Sequence, residues 1–214
     1  MKKSIALLVA LAVPSLGSAQ AMDNNAKFEK ALSAARDGDA ATAVVLFSDL
    51  AHRNDSSAQM NLAVLTALGH GTPQDETEAL FWAWRARFGG ENRAIDLTKY
   101  LSRQLPAKQR AAVAKRLLEE LEAAAEQGHP AAFLGMCRTE NEVREPAKPV
   151  AALAWCSVAA AFEVQGAAVL RDALGMELSV EDKTKAQLNG RALFLEWCKR
   201  VPEETRPISC PDVN

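Results

Sequence analysis

The sequence predicts an all-α chain of antiparallel helix pairs stacked as an α-solenoid. Three observations carry that expectation. Apolar residues recur at helical spacing in one segment after another. Glycine and proline fall between those segments, where they stop one helix and start the next. The chain also matches itself without a gap at an offset of 73 residues: Pro73 falls on Pro146, Ala79 on Ala152, Leu80 on Leu153, Trp82 on Trp155 and Ala86 on Ala159, and the match runs on to Leu105 and Leu178. Helix composition alone could supply some of the apolar matches, but the Pro and Trp coincidences in the same register favour an internal duplication.

The N-terminus has its own pattern. Met1-Lys2-Lys3 is basic, Ile5 to Val13 is apolar, and Ala19-Gln20-Ala21 has the small-x-small form of a cleavage site. Residues 1–21 are therefore expected to be a secretory signal peptide, and its organisation suits a bacterial periplasmic protein. The apolar run falls well short of the ~20 residues that a spanning helix needs, which weighs against an uncleaved anchor. No cysteine sits near the cleavage site to carry a lipid, and no stable membrane insertion is expected after cleavage. Cleavage after Ala21 would leave 193 residues with 23 basic against 27 acidic side chains. That mildly acidic balance lacks the footprint of a nucleic-acid binder.

Phe28, Ala31, Leu32 and Ala35 form an apolar stripe on a helix expected over 26–36. Asp37-Gly38-Asp39 makes a tight turn, with Asp39 capping a second helix over 40–52. Ala58 to Ala94 holds the clearest pair, with Leu62, Leu65 and Leu68 on its first helix and Ala79, Trp82 and Ala86 on its second. Gly69, Gly71 and Pro73 break the pattern between them, and Asp75 stands where a carboxylate accepts from free helix N–H groups. Further on, Ala94, Leu97 and Leu101 mark a helix, Pro106 opens a long one through Val113, Leu117 and Leu121, and Ala132, Leu134 and Gly135 begin another. After a loop with Pro146 and Pro149, Ala152 to Ala160 completes that pair, and Ser179 is placed to cap the last helix. The organisation expected is a helix pair at 22–55, one unit at 56–128, a second at 129–199, and a Pro-rich tail at 200–214.

Ala58, Gln59, Asn61, Leu62, Gly69, Gly71, Pro73, Gln74, Asp75, Ala79, Trp82, Ala86, Gly90 and Ala94 together resemble one Sel-one-like repeat, a helix-pair relative of the tetratricopeptide repeat. Ala63, Thr66 and Arg87 depart from the family's preferred Gly, Tyr and Ala, and Glu163 stands where it would end a helix with Gly. The resemblance implies a right-handed solenoid and a non-catalytic adaptor or regulator that binds a protein partner in the cell envelope. The alternative is an envelope protein that binds or hydrolyses peptidoglycan or carbohydrate. A single helix pair cannot cover its own apolar face, so stacking buries it and leaves an extended surface suited to partners.

Cys137, Cys156, Cys198 and Cys210 are an even set in a chain expected to be exported, so disulfides are allowed, and four cysteines permit three pairings. The favoured pattern is Cys137–Cys156 across one repeat, which related repeats with cysteines in both helices support, and Cys198–Cys210 stapling the tail. A thiol redox sensor would instead need a low-pKa exposed cysteine, and only Cys198, beside Lys199 and Arg200, has cationic neighbours.

No catalytic or cofactor motif stands out. His52, His70 and His129 are far apart and lack metal-ligand spacing, and there is no P-loop, nucleophile elbow or dinucleotide fingerprint. No enzyme, cofactor or metal is expected. The candidate partner site is a second aromatic stripe, Phe81, Trp84 and Phe88, with Arg85 beside it. Trp84 is rotated about 200° from Trp82 along the helix, so the two cannot face the same way. Shifted by 73, Phe81, Trp84 and Phe88 become Ala154, Ser157 and Ala161. Either the neighbouring helices differ, which is the favoured reading, or the first unit presents an aromatic and arginine surface of the kind that anchors partners.

Overall fold

The computed structural model describes residues 16–211, with the side chains of residues 16–22 and 205 left aside; the apolar run of the expected signal peptide lies outside them. Among the described residues the chain is all-α. Its helices are α1 (Leu16–Arg36), α2 (Ala40–His52), α3 (Ser56–Leu68), α4 (Glu76–Phe88), α5 (Ala94–Gln104), α6 (Ala107–Glu126), α7 (Ala131–Arg138), α8 (Pro149–Ala161), α9 (Ala167–Glu177) and α10 (Val180–Arg200). α1 begins ten residues before the helix expected over 26–36.

Local chemistry sets most of these bounds. Asp39 accepts from the Thr42 N–H, Asp55 from Ala58, Asp75 from Thr77 and Glu78, and Ser179 from Asp182, so four helices start on a side-chain cap. Pro149 sits in the first turn of α8, where its missing N–H leaves nothing unpaired. α7 does not end in a loop. It runs into one π-helical turn, Thr139–Val143, which the apolar periodicity did not announce.

The 73-residue offset reappears in the backbone. α4 and α5 start and end 73 residues before α8 and α9, and α6 starts 73 residues before α10. The turn after α4 carries the bonds Gly90 N–H to Arg87 C=O and Glu91 N–H to Ala86 C=O. The turn after α8 carries the same two at that offset, Glu163 to Ala160 and Val164 to Ala159.

Packing runs chiefly between near neighbours: α1 on α2, α2 on α3, α3 on α4, α4 on α5 and α6, α6 on α7, α7 on α8, and α8 on α9 and α10. One core joins α1 to α6 around Phe47, Leu80, Phe81, Trp82, Trp84 and Leu117. A second gathers Phe133, Val158 and Trp197, where Phe133 stacks on Trp155 at 5.8 Å, Trp197 meets Phe162 edge-on at 4.7 Å, and the Trp197 indole N–H donates to the Ala125 carbonyl at 2.8 Å. Each such side chain contributes about 1.5–3 kcal/mol by leaving water.

Two disulfides close the C-terminal half. Cys137–Cys156 ties α7 to α8 inside a buried cluster with Leu153 and Leu174, and Cys198–Cys210 ties the tail to α10. Loops of these lengths limit the unfolded chain by roughly 3 kcal/mol each. Such bonds persist in oxidising compartments. No helix among the described residues is long and apolar enough to cross a membrane.

Candidate functional site

The aromatic stripe does not form a surface. Phe81 is 1% exposed and Trp84 3%, so neither can anchor a partner as the chain stands. Their burial has a local cause. The Arg87 guanidinium lies over the Trp84 ring at 4.6 Å and pairs with Glu142, a residue of the π-helical turn, at 2.5 Å. The Arg116 guanidinium covers Phe81 at 3.5 Å and pairs with Glu78 at 2.5 Å. Arg85 stands over Trp82 and Phe81 at 5.5 and 5.8 Å, donates to Glu120, and reaches the Asn54 side-chain carbonyl. Glu78, Arg116, Glu120 and Arg85 thus alternate in sign across α4 and α6, sealing the aromatic core at its rim.

The two half-buried members of the stripe, Arg85 and Phe88, have a different fate. They line a cleft of about 810 Å³ that takes residues from four chain reversals. His52 and Asn54 come from the α2–α3 turn, Phe88 and Gly89 from the end of α4, Gln127 and His129 from the α6–α7 turn, and Val164 and Gln165 from the α8–α9 turn. Leu117, Leu121, Ala132 and Leu134 make its apolar lining, and Gln59, Glu120 and Arg138 add polar groups. α6 and α7 approach closely here because residue 135 is glycine: a Cβ on it would come within 2.6 Å of the Leu121 side chain.

The polar groups fall into two sets. Glu120 is held by Arg85 and Arg116, and the His52 Nδ1–H donates to the Ser48 carbonyl (2.7 Å) while the His52 and Trp82 rings meet in a T-shaped contact at 5.0 Å. These hold the wall in place. Gln127, His129, Gln165 and Arg138 have no side-chain hydrogen bond or ion pair among the described residues and are free to meet a ligand.

His70 lies apart from this cleft, and no group of three or more His, Cys, Asp or Glu side chains is placed to hold a metal among the described residues. All four cysteines are paired, leaving no free thiol there. The cleft was not legible as a site in the sequence, because its lining is scattered from His52 to Gln165 and shares no motif. The one available signal was the polar character of turn residues at the same ends of α2, α6 and α8. No protein-family model matches the chain, and no curated protein matches it either.

Proposed function

We propose that the chain is an exported, non-catalytic adaptor or regulator: a right-handed solenoid of Sel-one-like helix pairs, with units at 56–128 and 129–199, that binds a protein partner in the periplasm. The signal-like N-terminus and the two disulfides support an oxidising, extracytoplasmic setting. The neighbour-to-neighbour packing and the helix bounds repeated after 73 residues support the repeat reading.

The cleft carries the binding reading. It spans the turns of both units, mixes apolar and polar lining, and offers side chains with no partner among the described residues. The test is site-specific photo-crosslinking in living cells, with the reactive residue placed at Gln127, Gln165 or, as a control away from the cleft, exposed Leu188. A single protein crosslinked from Gln127 and Gln165 but not from Leu188 is the expected result. Equal capture from all three positions, or capture of murein fragments in place of protein, would replace the adaptor reading.

A further inference from the structure

Resting on the cleft as the binding site, we infer that its occupant is an extended peptide segment carrying an acidic side chain, whose carboxylate pairs with Arg138 and whose backbone N–H meets the Gln59 side-chain oxygen. Two side chains in the cleft point to this chemistry independently.

The first is Gln59. Only 2% of the residue is exposed, yet it lines the cleft. Its Nε2 donates to the Ala51 carbonyl at 3.0 Å, which fixes the carboxamide and leaves Oε1 as an acceptor with no bond among the described residues. That oxygen reaches solvent in the cleft, where water meets it, and an occupant that displaces the water without donating in its place would leave it unmet. A helix would not supply a donor at its middle, because its N–H groups are already spent on its own carbonyls. An extended segment presents free N–H groups along its length.

The second is Arg138, at the C-terminal end of α7. Of the other half-buried arginines, Arg85, Arg87, Arg110, Arg116, Arg144 and Arg171 each hold a carboxylate, and Arg206, away from the cleft, donates to the Val201 carbonyl. Arg138 is half-buried too, but has neither an ion pair nor a hydrogen bond among the described residues. The cleft's own acid, Glu120, is already taken by Arg85 and Arg116. One uncompensated positive charge therefore stands in a wall whose other charges are matched, on a chain that is acidic overall. A carboxylate is its complement, in the fork geometry that guanidinium favours. The cleft volume, within the ~300–1,000 Å³ usual for ligand sites, suits a few residues and not a folded domain. A sugar platform is the weaker fit, since Phe88 is the one aromatic side chain of the lining.

The experiment selects peptides from a random displayed library against the disulfide-bonded mature chain, then measures their affinity by fluorescence anisotropy. Selected peptides share an Asp or Glu. Changing it to Asn or Gln weakens binding about tenfold or more, Arg138→Gln gives the same loss, and the two changes together add little. Arg138→Glu inverts the preference, binding peptides whose acid is replaced by Lys. Gln59→Leu lowers affinity for every selected peptide alike, with unchanged circular dichroism as the check on folding. Peptides insensitive to Arg138→Gln, or capture of muropeptides in place of peptides, would overturn the inference. If crosslinking from Gln127 still finds a protein partner in that case, the cleft remains the site and only the acidic-peptide chemistry falls.

Discussion

Gly190 of α10 lies against Ala154 of α8 so closely that a Cβ on it would come within 3.0 Å of the Ala154 carbonyl oxygen and 3.3 Å of the Ser157 Cβ. Seventy-three residues earlier the same three positions hold Leu117, Phe81 and Trp84, all buried. The small set lets α10 press onto α8. The large set fills the space between α6 and α4. This pairing explains why the aromatic stripe has no counterpart in the second unit: the neighbouring helices differ. Gly190→Ala is expected to cost about 1–3 kcal/mol, since α8 backbone must shift to admit the methyl. Gly175→Ala is the control. Its Cβ would meet only the Lys183 side chain at 3.5 Å, an ordinary contact, so the better helix propensity of Ala should raise stability by up to about 1 kcal/mol. Thermal melts of the two variants should move in opposite directions.

Trp84 and Trp197 are equally buried but unequally satisfied. The Trp84 indole N–H has no acceptor among the described residues, whereas that of Trp197 donates to the Ala125 carbonyl at 2.8 Å. Replacing either by Phe removes comparable apolar volume. At Trp84 the change also removes an unmet buried donor, while at Trp197 it leaves the Ala125 carbonyl without its partner. Trp197→Phe is expected to cost about 1 kcal/mol or more beyond Trp84→Phe, measured by denaturant unfolding. Equal losses would mean that the Trp84 N–H is satisfied in solution.

Legibility in the sequence followed the range of the interactions. Helix starts at Asp39, Asp75 and Ser179 were readable because a cap acts within three residues, whereas Pro149, expected in a loop, opens α8. The 73-residue register was readable because Pro and Trp are rare enough to mark it. Packing of the Trp84 stripe between helices was the favoured reading and Trp84 is buried, but the Arg87–Glu142 pair that covers it was not readable, because Glu142 lies on a π-helical turn far along the chain. Gly190 gave no sign that it pairs with Ala154, since a glycine in a helix says only that something comes near. The cleft was the least readable part, as Gln59 and Arg138 meet there only through the stacking of α3 and α7 around α4 and α6.

Glu91 should give the chain an acid-sensitive increment of stability. Its carboxylate accepts from the Arg93 side chain at 2.7 and 3.0 Å, from the Arg93 N–H at 3.2 Å and from the Ser57 hydroxyl at 3.2 Å. Those bonds, led by the Arg93 side chain, pull it from 4.5 down to about 2. A carboxylate lowered on folding stabilises the native state above its unfolded value and loses that contribution as the pH falls. The increment is thus complete above about pH 5 and fades between pH 4.5 and 2. Arg93 is 57% exposed, so water screens the pair and the increment is about 0.5–1 kcal/mol, not the full linkage value. Glu91→Gln should melt lower than the parent at pH 7, with the gap closing by pH 2. A gap unchanged across that range would assign the loss to the Ser57 contact and not to charge.

Glu163 holds a left-handed backbone, φ +56°, at the residue that corresponds to Gly90, φ +89°. Both turns make the same pair of bonds back into the preceding helix, the arrangement that ends helices with a left-handed residue. Gly90 meets it without strain, but a side chain with Cβ costs roughly 1–2 kcal/mol there. Glycine in turn gives up about 0.5–1 kcal/mol of extra chain entropy on folding. Glu163→Gly should therefore raise stability by about 0.5–1 kcal/mol, a rise of roughly 1–4 °C in melting temperature for a chain of this length. Gly90→Glu should lower it by a similar or larger amount. The amide of Val164, which donates to the Ala159 carbonyl across this turn, is the local probe. Slower hydrogen exchange at that amide in Glu163→Gly would place the gain in the turn itself, and a lower melting temperature would mean that glycine's chain entropy outweighs the strain relieved.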